Sequence, residues 1–159
     1  RADIHGNLFA IILLGLVLPI SVISVVQVTV ILGVFASVSG SPADVALLVV
    51  SVASAFVMML ALGLATAGVT RSPEHAQVTT LPLSLGLLAI ASWVGITGTE
   101  QLAPLKRLLP GGSATELVVD SWNGGVPRTE SLLLLAPTLA WVVVAIALAT
   151  RLFRWEPRR

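Results

Sequence analysis

Four long apolar stretches lie between Leu8 and Phe153, and none of their central segments contains a Lys, Arg, Asp, Glu or His. A helix of about 20 apolar residues spans the hydrocarbon core of a bilayer, so long uncharged segments are candidate transmembrane helices. Only 11% of the 159 residues are charged, whereas soluble domains carry roughly 25%. The pattern predicts an all-α integral membrane protein.

The apolar stretches predict four transmembrane helices within a single transmembrane domain of residues 1–159, at about residues 8–35, 43–69, 76–97 and 131–153. The first is longer than the hydrocarbon core, and Pro19 is its predicted kink site. Ser41 is the predicted N-cap of the second helix, with Pro42 at the first helical position. The same pattern at Ser72-Pro73-Glu74 predicts the start of the third helix, after a tight hairpin.

The segment from residue 98 to 130 differs from the spans because it contains several prolines and many of the charged residues. A short amphipathic helix is predicted at Ala103–Leu109. A second is predicted to begin at Ser113, because Ser113 and Glu116 have the spacing of a capping box. We expect an extracytoplasmic re-entrant or interfacial helical loop between the third and fourth transmembrane helices. A plain surface loop is the alternative.

The distribution of basic residues predicts the orientation. A cytoplasmic C-terminus would place six on that side: Arg1, Arg71, Arg151, Arg154, Arg158 and Arg159. The opposite side would hold three: Lys106, Arg107 and Arg128. Both termini are therefore predicted to be cytoplasmic. Because residues 1–7 lack an initiating Met and are too polar to open a signal peptide, we expect a fragment or a processed product.

Several classes of function are disfavoured by what the sequence lacks. Ion-coupled carriers place ionisable residues inside the membrane, and the span centres contain none. His5 and His75 lie in separate loops, and no catalytic cluster or Walker motif is present, so we expect no enzyme activity and no cofactor. His75 is interpreted as a surface residue of a first helical turn rather than a pH sensor. The net charge of +1 argues against a nucleic-acid partner.

Four polar residues inside the predicted spans are candidates for lining a substrate path: Gln27, Thr29, Ser84 and Ser92. Hydrogen bonding between helices explains such residues equally well and is commoner in membrane proteins. Gly63 and Ala67 form a small-xxx-small pair that lets another helix approach closely. These residues therefore favour a role in helix packing over a role in a transport path.

The run of residues 61–77 reads ALGLATAGVTRSPEHAQ and resembles a cytoplasmic hairpin in permease subunits of bacterial type-2 ABC exporters. Further pieces follow in a similar order: Leu81-Pro82-Leu83, Leu108-Leu109-Pro110, Glu116-Leu117 and Arg154-Trp155-Glu156. The resemblance covers roughly residues 45–156. It implies that the four spans are the third to sixth of six, with Arg71, Ser72, Pro73 and Glu74 in the hairpin. The first two helices and the coupling helix of the family have no counterpart in this sequence.

The resemblance implies a permease component of an ATP-driven exporter in the bacterial inner membrane. Its expected partners are a separate ATP-binding cassette ATPase subunit, a second permease subunit in a homo- or heterodimer, and the lipid bilayer. The alternative is a non-transporting membrane scaffold or assembly protein, favoured by the lack of polar chemistry in the spans. An integral-membrane enzyme would need catalytic residues from another chain.

Overall fold

The computed structural model describes residues 2–70 and 73–152, and these residues form helices without any strand. The helices are α1 (Ala2–Ser39), α2 (Val45–Val69), α3 (Pro73–Thr97), α4 (Ala103–Leu108), α5 (Gly112–Asn123), α6 (Arg128–Leu133) and α7 (Leu135–Leu152). Four segments are long and apolar enough to cross a membrane: Val17–Ser39, Val45–Gly68, Gln77–Thr97 and Arg128–Arg151. The prediction of an all-α chain with four candidate transmembrane helices is therefore confirmed.

The chain divides after Ser41 into two units. The first unit is α1, which is helical through Pro19 and extends beyond both ends of the predicted span. Over residues 17–39 none of its side chains is buried, and large apolar ones such as Ile23 and Ile31 are exposed. A helix that is apolar all round suits lipid or other helices as its surroundings.

The core of the second unit lies between α2, α3 and α7. It consists of Met58, Ala61, Leu62 and Ala65 on α2, Leu87 on α3, and Val142 and Ala145 on α7. Alanines at the α2–α7 contact let the two backbones approach closely. In lipid there is no hydrophobic driving force between helices, so close packing of small residues is a main source of their association. This cluster joins three of the candidate spans.

The C-terminal end of α5 lies beside the start of α2. The N–H of Ala43 donates to the carbonyl of Trp122 at 3.1 Å, and the N–H of Asp44 donates to the carbonyl of Ser121 at 2.9 Å. The first amides of a helix and its last carbonyls have no partners within the helix. These bonds therefore satisfy such groups and join the end of α5 to the start of α2.

The N-terminal end of α5 lies beside the middle of α2 and α3. Leu117 packs with Leu47 near the start of α2, and a Cβ atom at Gly111 would lie 3.8 Å from Met58 Cε and 3.9 Å from Leu87 Cδ2. Met58 is about 20 Å along the helix axis from the start of α2. α5 therefore runs antiparallel to the first part of α2.

The N-cap of α2 is Asp44, so the prediction of Ser41 is wrong. Asp44 has an extended conformation (φ −135°, ψ 94°), and its Oδ1 accepts a hydrogen bond from the N–H of Leu47 at 2.9 Å. The helix does not begin earlier because the backbone of Asp44 is extended rather than helical. At the start of α3, Pro73 occupies the first helical position as predicted.

The predicted capping box of α5 is also wrong. The N-cap is Gly111, at φ +88°, and it makes no side-chain capping bond. Ser113 lies inside the helix, and its hydroxyl shares a hydrogen bond of 2.9 Å with the hydroxyl of Thr138 on α7. Glu116 is bonded to Arg107 and Thr99 instead of the helix start. Both side chains of the predicted capping box therefore form hydrogen bonds with other parts of the chain instead of with the start of α5.

Candidate functional site

The helices α4 and α5 and the turn between them, residues 103–123, form an inserted pair that packs among α2, α3 and α7. The pair is closed tightly at its turn. A Cβ atom at Gly112 would lie 1.8 Å from the carbonyl oxygen of Lys106, so only glycine fits there. Gly111 has a φ of +88°, a conformation that side chains rarely adopt.

Lys106 is a buried cation that attaches α4 to the end of α3. Its side chain is 2% exposed. The ammonium donates to the hydroxyl of Thr97 at 2.7 Å and to the carbonyl of Gly98. It also lies 5.0 Å from the ring centroid of Trp93. The carbonyls at a helix C-terminus and the face of an indole both favour a cation, which compensates for the burial.

Glu116 connects α5 to α4 and to the loop before it. Its carboxylate accepts a hydrogen bond from Thr99 at 2.5 Å and two from the guanidinium of Arg107 at 2.7 Å each. Burial alone would raise the pKa of Glu116. The bonds from Arg107 and Thr99 outweigh that effect and hold the pKa below its ordinary value. The carboxylate is therefore charged at neutral pH.

Asp120 and Asp44 each bind the start of the fourth span. Asp120 accepts a hydrogen bond from the hydroxyl of Ser131 at 2.9 Å. Burial raises its pKa, and the nearby charge of Glu116 adds to the effect. Asp44 pairs with Arg128 at 2.7 Å, and the hydrogen bond from Arg128 is the main cause of its lowered pKa.

The inserted pair is also bonded to α7. The indole N–H of Trp141 donates to the carbonyl of Leu108 at 2.8 Å, and Ser113 is bonded to Thr138. Within the described part of the chain, no buried side-chain nitrogen or oxygen lacks a hydrogen-bond partner. The buried polar side chains of the inserted pair are therefore satisfied by the protein itself.

An open cleft of about 690 Å³ lies between the inserted pair and the start of the fourth span. Its lining residues are Thr99, Glu100, Ala103, Arg107, Glu116, Asp120, Val126, Glu130, Leu133, Leu134 and Pro137. Four carboxylates and one guanidinium are among them, so the field in the cleft is mainly negative. Such a field attracts cations and disfavours anions. Among the described residues, no three possible metal ligands are grouped closely enough to hold an ion.

The four polar residues predicted to line a path lie elsewhere. Gln27 and Thr29 are on α1, and Ser84 and Ser92 are on α3; all four are exposed. The hydroxyl of Thr29 donates to the carbonyl of Val25 at 2.8 Å, within its own helix. None of the four belongs to the lining of the cleft. Their role in a path stays a prediction.

The predicted cytoplasmic hairpin lies largely outside the described residues. Arg71 and Ser72 fall there, as does the terminal run Arg154-Trp155-Glu156. The backbones of Pro73 and Glu74 form the first turn of α3. On the other side of the gap, α2 ends at Val69, and the hydroxyl of its C-cap Thr70 donates to the carbonyl of Ala67 at 2.9 Å.

Sequence reasoning missed the residues that hold the site together: Asp44, Lys106, Arg107, Arg128 and Trp141. One signal was present for Trp141, because an indole N–H in the middle of a span needs a hydrogen-bond partner. A second was the pair of opposite charges, Arg107 and Glu116, on the two sides of a Gly-Gly turn. The ion pair between Asp44 and Arg128 had no local signal.

No protein-family model, curated protein or solved structure matches this chain. What the inserted pair and the cleft do is therefore inferred from their own geometry.

Proposed function

We propose that this chain is the permease component of an ATP-driven exporter in the bacterial inner membrane. It forms the substrate path as a dimer with a second permease subunit, and a separate ATPase subunit energises it. The observation that carries the proposal is the packing of the inserted pair between α2, α3 and α7, with its turn beside Met58 and Leu87. The resemblance of residues 61–77 to the exporter hairpin supports it. Both termini then lie in the cytoplasm.

The depth follows from the position of the Gly111 turn beside Met58 and Leu87. If α2 crosses the bilayer, Met58 is about 20 Å from its outer end, inside a hydrocarbon core that is about 30 Å thick. The inserted pair is then re-entrant rather than interfacial. Backbone that leaves the helical pattern at this depth is tolerated where protein covers it or where it lines a water-filled cavity.

This arrangement suits transport better than a scaffolding role. Carriers place broken helices near the middle of the membrane, where their ends and polar groups face the substrate path. The inserted pair supplies such helix ends, and a cleft of about 690 Å³ lies against it. The cleft combines apolar side chains with carboxylates, which favours an amphipathic cargo without net negative charge. A scaffold has no evident use for a polar element at this depth.

The partner ATPase provides the direct test of the proposed function. Affinity purification of the tagged chain from its native membranes should recover an ATPase with a Walker motif, and the complex should hydrolyse ATP. Replacing the Walker lysine of that ATPase should abolish ATP hydrolysis and export while this chain stays in the membrane. Recovery of partners without any nucleotide site, or export that survives loss of the ATPase, would reject the exporter and favour the scaffold.

Spin labels can test the re-entrant depth of α4. The chain has no cysteine, so Leu102→Cys and Leu108→Cys each create a single labelling site. Both side chains are exposed, at 60% and 68%; Leu102 precedes α4 and Leu108 is its last residue. We expect the label at residue 108 to lie deeper by up to about 9 Å. Power-saturation EPR should show it as more accessible to oxygen and less accessible to a polar nickel chelate.

A label introduced by Val57→Cys, in the middle of α2, provides the reference for mid-membrane depth because that side chain is also exposed. Residue 108 should approach the depth of this reference, and residue 102 should not. Equal, shallow depths at residues 102 and 108 would show that α4 lies on the membrane surface.

A further inference from the structure

The fourth span contains a joint between α6 and α7, at Leu134. Pro137 has no N–H, so the carbonyl of Leu133 lacks its usual helical donor four residues later. The N–H of Leu134 donates to the carbonyl of Ser131 at 3.0 Å, three residues back, which is a tighter turn than an α-helix makes. The position of the joint is therefore determined by Pro137.

A second joint precedes α6. Gly124 and Gly125 have φ values of +70° and +86°, which glycine adopts without steric cost. Between the two joints, Ser131 is the buried residue of α6, whereas Leu133 is 72% exposed. A segment with few buried contacts separates from its neighbours at low cost. α6 is thus a short helix with few buried side chains, between a pair of glycines with positive φ and a proline-interrupted turn at Leu134.

Among the described residues, two side-chain contacts hold α6 against the rest of the second unit. Arg128 donates from Nε and Nη2 to Oδ2 of Asp44, at 2.7 Å each. Ser131 donates to Asp120 at 2.9 Å. The side chain of Arg128 is 61% exposed, so its ion pair is weak and is screened by salt. A weak ion pair suits a contact that has to break and form again.

We propose that α6 is a strap that turns about its two joints to open and close the acidic cleft. Glu130 and Leu133 of α6 line one wall, and Arg107 and Glu116 of the inserted pair line the other. Movement of α6 therefore changes the width of the cleft. The structure holds the form in which Arg128 is bonded to Asp44, and breaking this contact shifts the population towards a form with a wider cleft. The strap is a property of this chain alone and does not depend on the proposed export role.

Distances between paired spin labels test the strap in the purified full chain in lipid nanodiscs. Thr129→Cys places a label on α6, and Val49→Cys places one on an exposed face of α2. Adding Arg128→Gln should raise the fraction of long distances in pulsed EPR by about two- to fivefold. About 1 M salt should have the same effect on the pair without Arg128→Gln and little further effect with it.

Matched variants separate movement of the strap from general loosening. Asp44→Asn keeps an N-cap residue but removes the charge, so it should open the strap as Arg128→Gln does. Pro137→Ala restores a backbone N–H at the joint and should reduce the long-distance fraction. Labels at Val143→Cys and Val49→Cys avoid α6 and should keep their distance. An unchanged α6 distance in Arg128→Gln, or equal broadening of the Val143–Val49 pair, would overturn the proposal.

Discussion

Gly112→Ala is expected to destabilise the packing of the inserted pair in the helix bundle more than any other single substitution considered for this chain. The added Cβ would lie 1.8 Å from the carbonyl oxygen of Lys106 and 2.9 Å from its carbonyl carbon. Both are backbone atoms, so no change of rotamer relieves the clash. Overpacking in a core costs about 1–3 kcal/mol, and we expect a cost of about 3 kcal/mol or more for this contact. Thermal unfolding in detergent should show a fall of about 10 °C in the midpoint.

Gly63→Ala is the matched control for this substitution. Gly63 lies inside α2, and a Cβ there meets no atom within 4 Å. Alanine favours the helix over glycine by about 1 kcal/mol, so the midpoint should stay unchanged or rise. Equal losses in the two variants would show that the clash with Lys106 is not the cause.

Glu116→Gln is expected to destabilise the protein by about 2 kcal/mol at neutral pH. The carboxylate receives three hydrogen bonds, from Thr99 and from two nitrogens of Arg107. A glutamine has one acceptor oxygen, and its amide group would turn donors towards the donors of Arg107. Part of the loss is offset because Arg107 is 46% exposed and can regain water. The free energy of unfolding in denaturant should measure the difference.

The effect of Glu116→Gln should depend on pH in a defined direction. The pKa of Glu116 is held below its ordinary value of 4.5, so the charged form stabilises the fold above that pH. This stabilisation is lost as pH falls through the lowered pKa. The gap between the two proteins should therefore shrink below about pH 4.5.

The exposed carboxylate of Glu100, in the same cleft, provides the control. Glu100→Gln should change the stability by less than about 0.5 kcal/mol. A loss as large as that of Glu116→Gln would assign the effect to the charge of the whole cleft rather than to the bonds of Glu116. A gap that persists at low pH would contradict the role of the carboxylate charge.

Features of the fold that are determined by a single stretch of sequence could be predicted. The length and apolar character of a stretch decide whether it can span a membrane, and the four candidate spans follow from that alone. The short helix at Ala103 and the start of α3 at Pro73 also follow from local pattern. The turn of the inserted pair falls at the Gly-Gly step for the same reason.

The errors concern residues whose partners are distant in sequence. Ser113 has the sequence neighbours expected of an N-cap, but its hydroxyl forms a hydrogen bond with the hydroxyl of Thr138. Ser41 has the right neighbours for a cap too, but Asp44 is the N-cap, and its N–H is bonded to the distant carbonyl of Ser121. A local pattern contains no information about such partners. The cleft was missed for the same reason, because its walls come from segments that only the fold brings together.

The bonds between the start of α2 and the end of α5 also set an order for assembly during synthesis. Ala43 and Asp44 donate to the carbonyls of Trp122 and Ser121, which follow α3 and α4 in the chain. A nascent chain that has not reached residue 122 leaves those two amides without their partners. One rim of the bundle is therefore completed late in translation, after the α2–α3 hairpin has emerged from the ribosome.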